Sequence, residues 1–95
     1  MATIGVLTLE LQIENACSLK DKRQVVLSLK DRLRRKFNVA VAEIDYQDVW
    51  QRAVVAAVTV SSDHTHAQSV LQNVENEAVH IVGGMLVSSS VEWME

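Results

Sequence analysis

Leu7-Thr8-Leu9-Glu10-Leu11-Gln12-Ile13-Glu14 alternates apolar and polar residues without a break, and Ser18-Leu19-Lys20-Asp21 then opens a stretch with a different period. The alternation is that of a strand with one buried and one wet face. Ser18 as N-cap with Asp21 three residues on reads as a capping box. Leu19, Val26, Leu29, Leu33 and Phe37 follow at helical spacing, which predicts a helix over 19–37. This switch from period 2 to period 3.6 is half of the fold.

The second half repeats the pattern. Val39 to Tyr46 and Ala53 to Ser61 are short and rich in Val and Ala, which predicts a strand pair joined by the tip Gln47 to Arg52. Ser61-Ser62-Asp63 offers a second N-cap cluster, and the apolar spacing from Ala67 to Ile81 predicts a helix over 63–81 that Gly83-Gly84 ends. Residues 85–94 alternate weakly, as a last strand, and the chain has no proline to contradict any strand. The order βαββαβ predicts one ferredoxin-like α+β domain over residues 1–95, a four-stranded antiparallel sheet with both helices on one face. Right-handed crossovers place the first and third strands in the middle. Leu9, Leu11, Val26, Leu29, Leu33, Val70 and Val74 are the expected core. The third strand is apolar on both faces, so a second copy is expected to cover the open side of the sheet, making a homodimer.

Composition narrows the function classes. No run approaches the roughly 20 apolar residues of a membrane span, so no membrane association is expected. The start Met1-Ala2-Thr3-Ile4-Gly5 has no signal-peptide features, and the single cysteine, Cys17, allows no internal disulfide, so the cytoplasm is the expected compartment. The charges are strongly divided. Eight of the nine basic residues lie between positions 20 and 36 against two acids, whereas the remaining residues set Arg52 against ten acids. Such asymmetry speaks to partners, not to the fold.

Catalytic and metal signals are weak. No glycine-rich phosphate loop is present, and Gly83-Gly84 follows a helix instead of opening one. His64 and His66 diverge on a helix with no third ligand, so no metal and no cofactor are expected. His80 reads as a favourable charge near a helix C-terminus. Cys17 reads as a buried structural cysteine without a base, and Glu43 with Asp45 as the wet face of an edge strand. Trp50 reads as a loop tip folded back onto the core, the alternative being an anchor for a partner.

The basic helix calls for more. Lys20, Lys22 and Arg23 stand in the first turn or so, where the helix dipole favours acids. Lys20, Arg23, Arg34 and Arg35 fall outside the apolar stripe with few acids to pair them. Phosphate binding, and through it nucleic-acid binding, is the expected use of this helix. The open sheet face, read as Thr8, Glu10, Gln12 and Glu14 with Glu43 and Asp45 nearby, is acidic and lacks aromatic stacking platforms, so RNA contacts are expected on the helix side.

The run Ser18-Leu19-Lys20-Asp21-Lys22-Arg23, then Phe37-Asn38-Val39, Ala42-Glu43, Gln47-Asp48 and Trp50-Gln51-Arg52-Ala53, resembles the YlxP-like family of bacterial proteins over nearly the whole chain. The resemblance implies a ferredoxin-like fold, a cytosolic protein and no established enzyme activity. Genes of the family often lie beside those for translation initiation factor two and ribosome-binding factor A, which associates it with the ribosome by neighbourhood only. Its signature positions fall here on Ser18, Leu19, Lys20, Lys22, Arg23, Trp50, Gln51 and Arg52, with no chemistry assigned to them. Cys17 and Tyr46 stand where histidines are frequent in relatives, which weighs against a catalytic or metal role at those positions.

Taken together, these readings predict a non-enzymatic accessory protein acting on ribosomal RNA or with ribosome-associated factors. Lys20, Lys22, Arg23, Arg34 and Arg35 would bind phosphates, with Trp50 and Arg52 as secondary contacts. The alternative is a dimeric protein-interaction module whose basic helix meets an acidic protein. An enzyme acting on a phosphate ester or acyl phosphate at the helix N-terminus ranks third, because no nucleophile can be named.

Overall fold

The computed structural model describes residues 1–94. In chain order it contains β1 (Thr3–Gln12), α1 (Leu19–Lys36), β2 (Ala40–Asp45), β3 (Arg52–Ser61), α2 (His64–Val82), a single 3-10 turn (Gly83–Met85) and β4 (Leu86–Met94). The strands form one antiparallel sheet in the order β2-β3-β1-β4, so the first and third strands are central, as the crossover rule requires. This is the ferredoxin-like βαββαβ fold.

β1 starts four residues earlier than the strict alternation because Thr3 and Gly5 occupy inward positions that carry no large apolar side chain. Gly5 is there for space. A Cβ on it would lie 2.7 Å from both Leu71 Cδ1 and Trp93 Cζ3, closer than packed carbons come. Gly5→Ala should therefore cost about 1–3 kcal/mol through overpacking. Chemical denaturation tests this, and a loss within about 0.5 kcal/mol would mean that the leucine and the ring simply step aside.

The core lies between the sheet and both helices. Leu7, Leu9 and Leu11 of β1 meet Val55 and Ala57 of β3, with Val26, Leu29 and Leu33 from α1 and Leu71, Val74 and Ala78 from α2. One expected core position is corrected. Val70 is only partly buried, and Leu71 is the buried residue. The inward line of α2 runs Ala67, Leu71, Val74, Ala78, Val82, which leaves Val70 on its flank. Gly83 closes α2 with φ of 55°, a conformation that glycine adopts without Cβ strain.

The open face of the sheet carries Thr8, Glu10 and Gln12 as the alternation of β1 predicts, but it is less acidic and more apolar than the sequence suggests. Ile4, Val6, Val58 and Val60 form cross-strand pairs there, beside the nearly buried Val54 and Ala56. Glu43 is absent from this face. It follows Val41 inward, opposite Val55, and turns toward α1, while the register shift between Glu43 and Asp45 sets the two carboxylates apart.

Candidate functional site

The N-terminus of α1 is capped as its sequence predicts. Ser18 Oγ accepts from the Asp21 N–H at 3.1 Å, and Asp21 Oδ2 reaches back to the N–H of Cys17 at 3.0 Å, one residue earlier than in a standard capping box. Cys17 is exposed, not buried, and its thiol approaches the Asn15 carbonyl at 3.6 Å.

Lys22 departs most from expectation. Only 1% of its side chain is exposed, so it cannot serve as a surface phosphate contact. Its Nζ donates to the Tyr46 carbonyl and lies 2.7 Å from Glu43 Oε2. The carboxylate oxygen meets the ammonium as a charge contact with no well-directed hydrogen bond. A cation in the first turn against the helix dipole is thus explained by folding, through an acid supplied from β2.

The same corner gathers other family signature positions. Gln51 Nε2 donates to the carbonyls of Glu14 (3.3 Å) and Ala16 (3.4 Å), and its own carbonyl accepts from Ile13 N at 2.9 Å. These bonds tie the β1–α1 loop to the β2–β3 loop. Tyr46 has φ of 61°, a strained conformation for a bulky residue, and the Arg52 guanidinium lies over its ring at 4.3 Å. Lys22 and Val49 N both donate to its carbonyl, which holds the turn. Sequence reasoning missed Glu43, Gln51 and Tyr46 as partners because each acts across more than twenty positions of chain. Trp50 is half-exposed at the loop tip instead of folded onto the core.

What α1 presents outward is a narrower basic surface. Lys20, Arg23, Leu27, Lys30 and Arg34 recur at alternating steps of three and four residues, so they line one flank over about 21 Å. Arg23, Leu27 and Lys30 border an open hollow against Glu43. Arg34 pairs with Asp31, and Lys36 (2.7 Å) and Arg32 (3.8 Å) pair with Glu77 of α2. The Lys36 hydrogen bond holds the Glu77 carboxyl below the usual carboxylate range, against the opposing effect of burial. Among the described residues, Lys20, Arg23, Lys30 and Arg35 form no ion pair. The structure therefore brings Lys20, Arg23 and Arg34 together and adds Lys30. Arg35 points to another side of the helix, and Arg52 falls on the open face of the sheet, in register with Gln12.

Neither histidines nor acids assemble elsewhere. His64 packs its ring against Trp93 with centroids 4.2 Å apart. Among the described residues no group of three or more His, Cys, Asp or Glu could hold a metal ion, and no helix is long and apolar enough to cross a membrane.

Comparison with solved structures supports the fold. A de novo designed protein, Foldit4, superposes with a TM-score of 0.63 at 10% identity, covering 100% of this chain and 98% of its own. A dimeric ferredoxin-like protein of unknown function from Thermobifida fusca gives 0.50 at 15% identity, covering 96% and 90%. At these identities the likeness is one of fold. A sequence relative is nearer: the uncharacterized protein YlxP of Bacillus subtilis (strain 168) is 42% identical over 71 residues, 75% of this chain and 77% of that protein. Residues 4–92 match the family described as a protein of unknown function (DUF503), and with the YlxP match this shows that the chain belongs to that YlxP-like family.

Proposed function

We propose that this chain is a non-enzymatic accessory protein that binds RNA of the translation machinery by its phosphates, along the outer flank of α1. The observation that carries the reading is the line Lys20, Arg23, Lys30 and Arg34, in which the first three charges are unpaired, on a molecule otherwise acidic. Unpaired cations in a row along a rigid helix meet a polyanion without first breaking an ion pair, and each phosphate neutralised releases counterions. The acidic remainder orients the approach, since it repels a nucleic acid from every other side. Three to four contacts of this kind give modest affinity without sequence preference.

The test is fluorescence anisotropy with labelled ribosomal RNA fragments across a salt series. Three contacts should give a slope of about −2 in log affinity against log salt on single strands. Arg23→Glu with Lys30→Glu should weaken binding on the order of tenfold or more for every fragment alike, whereas Arg35→Glu, off the flank, should do much less. Equal binding by the folded double variant would sink the proposal, and so would a parent without RNA affinity at physiological salt. In the latter case, capture of an acidic protein by the same flank becomes the better reading.

A further inference from the structure

A second surface is left unexplained by the α1 flank. β4 closes the sheet at one end and pairs only with β1, so among the described residues the outer row of its backbone N–H and C=O groups meets no strand. Such edges are ordinarily blunted by shortness, bulges or charge. The opposite edge obeys this rule: β2 has six residues, carries Glu43 and Asp45, and shifts register between them. β4 does not. It runs nine residues with Glu92 as its one charged side chain, and its irregularity lies at its start, leaving Ser88 to Met94 in unbroken register. The strip beside this edge is open as well. Ser89, Val91 and Trp93 stand opposite Leu9, Leu7 and Gly5, on the side of the sheet that faces the helices. α2 does not reach over them: Val91 is 42% exposed, and a hollow of about 370 Å³ lies between it, Trp93 and the side chains of Gln68, Gln72 and Glu75 on α2. Its walls are fixed, since the Trp93 ring packs on His64 and Ser89 donates to Glu75.

We infer that the outer edge of β4 receives an extended segment of another protein, added as a further strand, with apolar residues at alternate positions and Lys or Arg between them. The edge itself dictates a strand, because extended backbone is what answers a row of unpaired N–H and C=O groups, and pockets beside the edge then set specificity. Alternation follows from the sheet. Successive side chains of the added strand fall on opposite faces, one set beside Val91 and the hollow, the other beside Ser88, Ser90 and Glu92. The first set is apolar to match Val91 and Trp93. The second meets Glu92, which forms no ion pair among the described residues, so a cation answers it. Charge also separates the candidate occupants. No Lys or Arg follows Arg52 in the sequence, while Glu75 and Glu92 flank the edge. That acidity repels nucleic acid, and β4 carries no cation with which a second copy could meet Glu92. The edge lies across the sheet from β2, which borders the basic hollow of α1, so the inference stands or falls independently of the RNA reading.

The test is heteronuclear NMR of the full chain titrated with synthetic peptides as long as β4, nine residues, to about 1 mM. A peptide of alternating Val and Lys should shift the backbone amides of Ser88 to Met94 and the side-chain amides of Gln68 and Gln72. The same residues in two blocks, all Val then all Lys, keep the charge but lose the alternation, and should bind on the order of tenfold more weakly. A peptide of alternating Val and Glu should bind more weakly still. Glu92→Lys, on an exposed side chain, should keep the fold and reverse this preference, weakening the Lys peptide and admitting the Glu peptide. No shifts with the Val–Lys peptide overturn the inference, and so do shifts that fall outside β4 and α2. Equal binding of the alternating and block peptides overturns it as well, by reducing the contact to charge alone. An unchanged preference in Glu92→Lys removes the assigned role of that acid and equally overturns it. Shifts of the β4 amides on dilution without any peptide would assign the edge to a second copy and reject the foreign strand.

Discussion

Lys22→Ala should lower the stability of the protein by about 3–5 kcal/mol, the cost of stripping one partner from a buried ion pair. The loss should sit near the lower figure, because 16% of the Glu43 side chain keeps contact with water. The substitution also frees the Tyr46 carbonyl from its lysine donor and leaves a cavity where the largest fully buried side chain had been. Removing both charges at once, as Lys22→Met with Glu43→Leu, should recover most of the loss, since apolar replacements of similar volume commonly match a buried pair. Urea denaturation of the three variants checks this. A single-variant loss under about 1 kcal/mol would mean that Glu43 swings out to water and that the pair does little for the fold. The result bears on function as well. A Lys22 variant that binds RNA weakly would be reporting a loosened corner, so the flank must be tested at Arg23 and Lys30 instead.

The other large effect is in the core. Leu29 is 0% exposed, between the sheet and α2, and Leu29→Ala should cost about 2–5 kcal/mol through lost transfer energy and the cavity left behind. For a domain of this size that corresponds to a fall in Tm of roughly 10–30 °C. Leu27, two residues earlier and 53% exposed, provides the control: Leu27→Ala should stay within about 0.5 kcal/mol of the parent. Similar losses at the two positions would contradict the helical phase, because a rotation of α1 by half a turn is what would exchange them.

Legibility in this sequence follows the distance over which each feature is decided. Leu7 to Ile13, and Val26 with Leu29 and Leu33, fix a strand and a helix by spacing alone, since the side-chain period of each element is set by its own backbone. The Ser18–Asp21 cap is equally local. Once four strands and two helices are placed in order, the handedness of the crossovers leaves one sheet arrangement, so the central position of β1 and β3 was also within reach. The division of charge and the family resemblance are properties of the sequence itself. What lies beyond its reach is the pairing of groups far apart in the chain. Lys22 shares the inward line of α1 with Val26, Leu29 and Leu33, so helical phase alone turns it toward the core, but spacing does not say what would neutralise a charge there. Glu43 supplies that partner, because β2 alternates so that this acid follows Val41 inward, and two opposite charges brought together out of water bind each other before any ligand. The same holds for Gln51, whose amide groups tie down a loop more than thirty residues away. Only the tertiary fold could decide which of eight clustered cations remain free, because an ion pair depends on distance in space, and the sequence records only distance along the chain.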